Sequence, residues 1–118
     1  MKKIILPLFL ISTFAVFAQS VEFVDPITSV TVDAKVNPTV VHFGVKNTSA
    51  DTVYFTVVRE VIQSIEGTSN YFCWDICLTP TVDTAGEVKI APDSTALNFS
   101  GDYVHNNEVG TTIVKYTF

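Results

Sequence analysis

Residues 51–61, Asp-Thr-Val-Tyr-Phe-Thr-Val-Val-Arg-Glu-Val, constrain this chain more than any other stretch. In an extended chain Val53, Phe55 and Val57 fall on one side, and Tyr54, Thr56 and Val58 on the other. A period of two in β-branched and aromatic residues is the mark of a half-buried strand. Residues 39–47 repeat it, with Val41, Phe43 and Val45 on one face and His42 opposite them. Residues 29–36, 87–92, 95–104 and 110–118 carry the same theme. The runs between them, 47–51, 66–70, 83–86, 91–94 and 105–110, are rich in Asn, Asp, Ser, Thr and Gly, which is turn chemistry. No window combines a helical period with proper caps, and only residues 58–67 leave room for a single helical turn.

Short strands separated by turns at roughly 8–12-residue spacing predict an all-β fold. At this length the expected form is an Ig-like, two-sheet antiparallel β-sandwich of about seven strands. The N-terminus reads differently. Lys2 and Lys3 precede an apolar stretch from Ile4 to Phe17, and Val16-Phe17-Ala18 offers small residues at the −3 and −1 positions of a cleavage site. That pattern predicts a secretory signal peptide over residues 1–18 and one domain over 19–118. The apolar run is shorter than the roughly 18–20 residues a membrane span needs, so no membrane insertion is expected after cleavage.

Without Lys2 and Lys3, twelve acidic side chains face five basic ones, a net of −7 against −5 for the full chain. Such a surface repels phosphate backbones and anionic lipid, which argues against nucleic-acid partners. Export also sets the redox environment, and the two cysteines, Cys73 and Cys77, are expected to pair in it. In a fully extended chain those positions lie about 13 Å apart, whereas a disulfide needs Cα atoms within about 7 Å. The chain must therefore fold back across Trp74-Asp75-Ile76. So small a ring stabilises by only about 2 kcal/mol through loop entropy; its expected effect is local, fixing the direction of Trp74.

Other chemistries fit less well. A thiol oxidoreductase places Cys-x-x-Cys at a helix N-terminus, whereas here three residues intervene in a strand context and Asp75 adds negative charge. A metal site would have to gather His42, His105 and both thiolates from distant positions. A blue-copper site wants an axial Met, and the one methionine is Met1. No Gly-x-Ser-x-Gly motif and no Asp-x-Asp-x-Asp-Gly loop is present. The expectation is no catalytic residue, no metal and no cofactor.

Several motifs then occur in a recognisable order: Asn47-Thr48-Ser49, Arg59, Phe72-Cys73-Trp74 with Cys77, residues 91–94 (Ala-Pro-Asp-Ser), residues 99–103 (Phe-Ser-Gly-Asp-Tyr), and residues 110–118 (Gly-Thr-Thr-Ile-Val-Lys-Tyr-Thr-Phe). Over most of residues 38–118 this resembles the Ig-like domain of secreted proteins from bacteria that use type IX secretion. The resemblance implies a secreted or cell-surface accessory module without catalysis, with the periplasm as the other compartment. It also implies one more strand after the one at 110–118, so the expectation is either a sequence truncated before that strand or a sheet that lacks it and keeps an unpaired edge there. The same resemblance suggests O-glycosylation at Asp-Ser/Thr motifs, with Thr52, Thr84 and Ser94 as candidates.

The function expected from all this is an exported, non-catalytic module for adhesion or assembly, meeting a protein partner at the cell surface through loops or by edge-strand pairing along residues 110–118. Tyr71, Trp74, Asp75 and Tyr103 form the candidate contact patch, because aromatic side chains anchor interfaces; for Trp74 the competing expectation is burial beside the disulfide. The alternatives are a carbohydrate-binding sandwich with Trp74 and Tyr71 as a stacking platform for a glycan partner, or a periplasmic metal or redox protein.

Overall fold

The computed structural model describes residues 20–118; the expected signal peptide of residues 1–18 lies outside the described residues. In chain order the strands are β1 (Val21–Val24), β2 (Thr39–Asn47), β3 (Val53–Phe55), β4 (Val58–Gln63), β5 (Ser69–Trp74), β6 (Ile76–Cys77), β7 (Val88–Ile90), β8 (Thr95–Val104) and β9 (Ile113–Thr117). They build the expected all-β, antiparallel sandwich. One layer is five-stranded in the order β1-β2-β8-β5-β6. The other joins β7 to β3 and β4 to β9.

These last four strands act as one layer, because residues 53–63 are a single strand interrupted at Thr56-Val57. Val58 has a neighbour on each side, Thr117 in β9 and Thr84 before β7. Backbone bonds from Ala85 N to Val57 O (2.9 Å) and from Arg59 N to Asp83 O (2.8 Å) carry the second border across the interruption. The alternation read from the sequence persists through it: Val53, Phe55, Val57 and Arg59 face inward, while Tyr54, Thr56 and Val58 face water.

Three expectations need correction. Residues 29–36 form no strand, although their alternation is as regular as any in the chain. Residues 58–67 hold no helical turn; β4 runs on to Gln63 and a turn follows at Glu66-Gly67. Among the described residues the strand count is nine rather than about seven, because the 53–63 strand is split and because β1 and β6 are too short to stand out as periodic segments.

Between the layers lies an aromatic core. The Phe99 ring meets Phe43 at 4.4 Å, Tyr116 at 4.9 Å and Phe118 at 5.2 Å. Phe118 also reaches Trp74 at 5.5 Å, edge to face, a geometry worth about 0.5–1.5 kcal/mol per pair beyond burial. Gly101 in β8 leaves room for the Tyr116 hydroxyl, which would lie 3.0 Å from a Cβ at that position.

Polar side chains tie the layers together at two places. Asn47, fully buried, donates through Nδ2 to the carbonyls of Asp51 (2.7 Å) and Ile90 (3.0 Å) and accepts from the Ser49 amide (2.9 Å). Arg59, 5 % exposed, crosses from β4 to the other layer. It donates to the backbone carbonyl and side-chain oxygen of Asn70, to the Pro80 carbonyl at 2.6 Å and to Asp83 Oδ1 at 2.7 Å, with its guanidinium over the Phe72 ring. Asp83 is largely exposed, with 62 % of its side chain open to water, so the carbonyls rather than the ion pair make this contact strong. Arg59→Met should therefore cost about 3 kcal/mol in urea unfolding, since it strands buried acceptors. Asp83→Ala should cost about 1 kcal/mol or less; equal losses from the two would show that the ion pair carries the contact.

Candidate functional site: an open strand edge over an apolar groove

Among the described residues β9 pairs with β4 alone, so its second edge offers free backbone donors and acceptors. Along it Val114, Tyr116 and Phe118 turn inward, and Ile113, Lys115 and Thr117 turn to water. Beside this edge lies a groove of about 790 Å³. Its far wall is residues 26–32 with Ala34, and its floor includes Phe43, Phe99 and Gly101. Its mouth is polar. His105 Nε2 and Thr39 Oγ1 share a hydrogen bond of 2.7 Å, Tyr103 and Thr112 share another through their hydroxyls at 2.5 Å, and the Asn37 side chain accepts from the His105 amide at 2.7 Å. The result is an apolar trough with an extended-chain edge along one side and polar groups at one end.

The predicted contact patch is not assembled. Trp74 is 1 % exposed and donates its indole N–H to the Phe55 carbonyl at 2.9 Å; it is a core residue linking the two layers, buried as the competing expectation had it, and not part of an exposed patch. Tyr71 faces the outside of the five-stranded sheet, Tyr103 the groove, and Asp75 sits exposed at the bend. The stacking platform of Trp74 with Tyr71 is likewise not formed, because residues three apart on a strand point to opposite faces. That parity was available in the sequence.

The bend itself is as expected. Cys73 and Cys77 are bonded with Cα atoms 3.9 Å apart, directly opposite each other across β5 and β6. Asp75 turns the chain at a φ of 65° and accepts a hydrogen bond from Asn98 at 3.1 Å. Asp is among the few residues that tolerate this left-handed conformation. The disulfide lies on the outer face, where Asp102 Oδ2 accepts from Ser100 Oγ at 2.7 Å and stands 3.8 Å from Cys73 Sγ. Asp102 is only 7 % exposed. In the sequence it stood out only as one member of the 99–103 motif.

His42 faces water on the outer side of β2, and His105 is engaged at the groove mouth. With both cysteines bonded, these groups do not converge, and no cluster of three or more His, Cys, Asp or Glu suited to a metal occurs among the described residues. Thr52, Thr84 and Ser94 are all exposed, in the connections before β3, β7 and β8, with Thr84 in the bridge to Val58. No protein-family model, curated protein or solved structure matches this chain.

The groove wall contains one displaced titration. Burial pushes the Tyr116 hydroxyl up to about 12; Arg59 pulls it down and Asp102 raises it further. The unfolded chain ionises this phenol near the ordinary value of 10, and the folded chain resists until about 12. Stability from this residue is thus complete below pH 10, falls between pH 10 and 12, and levels off above. Urea midpoints over that range should decline less steeply in Tyr116→Phe; identical slopes would mean that the hydroxyl is not held neutral by the fold.

Proposed function

We propose that this chain is an exported, non-catalytic Ig-like module that works at the cell surface by protein contact, taking up an extended strand of a partner along the free edge of β9. The single observation behind this reading is the coincidence of an unpaired strand edge with an apolar trough alongside it. An exposed edge is a template for another strand, and main-chain hydrogen bonds supply affinity while pockets for alternate side chains supply selectivity. Aromatic side chains at the trough floor match that division of labour. The acidic surface disfavours nucleic acid and anionic lipid as partners. The disulfide fits an oxidising compartment, in line with export.

Photo-crosslinking in the host cell tests it. A benzoylphenylalanine placed at Ile113 or at Thr117 should form an adduct whose linked peptide, sequenced by mass spectrometry, is an extended segment with apolar residues at alternate positions. The same group at Tyr54, exposed on β3 in the same layer, should not. Adducts no more frequent from the β9 positions than from Tyr54 would remove the proposal.

A further inference from the structure

Residues 29–36 read Ser-Val-Thr-Val-Asp-Ala-Lys-Val, a regular strand pattern, yet among the described residues they pair with nothing as a strand. Val30 is 53 % exposed and Val32 37 %. Strand-forming side chains left in water at alternating positions have an unmet preference for a neighbour. Their location gives that preference meaning: they form the wall of the groove that faces β9 across the trough. A segment with a strand's alternation thus borders the same apolar slot as the free edge of β9.

We infer that residues 29–33 are the second edge of a strand seat, so that the incoming strand lies between them and β9 and is hydrogen-bonded on both sides. This rests on the strand-uptake proposal and adds the partner's chemistry. An occupant in this position turns every second side chain onto Phe43, Phe99 and Phe118, and those positions must be apolar. Its ends must be basic. The groove lining includes His105 and the acidic Glu108 and no lysine or arginine among the described residues, while the Asp102 carboxylate turns to the outer face. Asp25 and Asp33 bracket the outer wall; Lys35 follows Asp33, and Lys115 projects outward toward Glu60 at 3.9 Å. A second copy of the chain is a poor occupant, because two bodies with this excess of acid repel. The occupant is a segment of a different protein, apolar at alternate positions and flanked by Lys or Arg. Its docking turns residues 29–33 from an unpaired wall into a paired strand and joins the open side of the sandwich into one continuous layer.

Two nine-residue peptides test this with the purified chain: Lys-Thr-Val-Thr-Val-Thr-Val-Thr-Lys and the same sequence ended by Glu. At low salt the lysine-ended peptide should bind about tenfold tighter, with the difference shrinking in 1 M salt. Hydrogen exchange should slow at amides of both 29–33 and 113–117, and Val30→Asn with Val32→Asn should weaken binding while leaving the urea midpoint unchanged. Protection confined to 113–117 would overturn the two-edged seat and leave strand uptake standing. Protection at neither segment would overturn both, and equal affinity for the two peptides would overturn the charge requirement.

Discussion

The guanidinium of Arg59 is the contact on which the rest of this structure depends. A sandwich of two small antiparallel sheets has few ways to fix one sheet relative to the other apart from side chains meeting in the middle. Arg59 does so with directional bonds, reaching from β4 to Asn70 on β5 and to the Pro80 and Asp83 segment that leads into β7. The same strand residue faces Tyr116 of β9 across the ladder. Its position therefore sets where β9 stands over the five-stranded sheet, and hence the width of the groove. A buried charge is costly unless every donor is matched, and here the backbone carbonyls of Asn70 and Pro80 share that task with the side-chain oxygens of Asn70 and Asp83.

Trp74 and the disulfide act at the other end of β5 in a related way. The Cys73–Cys77 bond closes a bend on the outer face, and the alternation of β5 then sends Trp74 inward to the Phe55 carbonyl and the Phe118 ring. Loop entropy gives so small a ring little global effect. What it does is hold the end of β5 in the register that places an indole between the layers. Phe118 is where these contributions meet, touching Phe23, Phe43, Trp74 and Phe99. The same ring lines the groove, so the core and the candidate site share a wall.

Fold class was legible because period-two alternation is a local property, and residues 53–59 kept it even where the ladder breaks. The tight bend at 74–76 followed from the expected pairing of Cys73 with Cys77 and the reach of the chain between them. What could not be read were the consequences of distance. Arg59 appeared in the sequence only as part of a motif, because its partners lie 11, 21 and 24 positions away and two of its acceptors are backbone carbonyls, which leave no side-chain signature. Residues 29–36 were expected as a strand on the strength of a pattern that reports a face to be buried, not whether a neighbour is present. The patch failed for a simpler reason: Tyr71, Trp74 and Tyr103 were grouped by residue type, and strand parity sends them to three different surroundings. The groove could not be foreseen, since it arises from which edges are left without partners, a property of topology.

The function proposed for this chain stands on the open edge of β9, and hydrogen exchange on the protein alone tests that edge most directly. Amides of residues 113–117 that bond to β4 should exchange slowly, and those between them, pointing to the groove side, should exchange at rates near those of exposed turns. Uniform slow exchange along all of β9 would mean that its second edge is already occupied, and would contradict a strand left free to take up a partner.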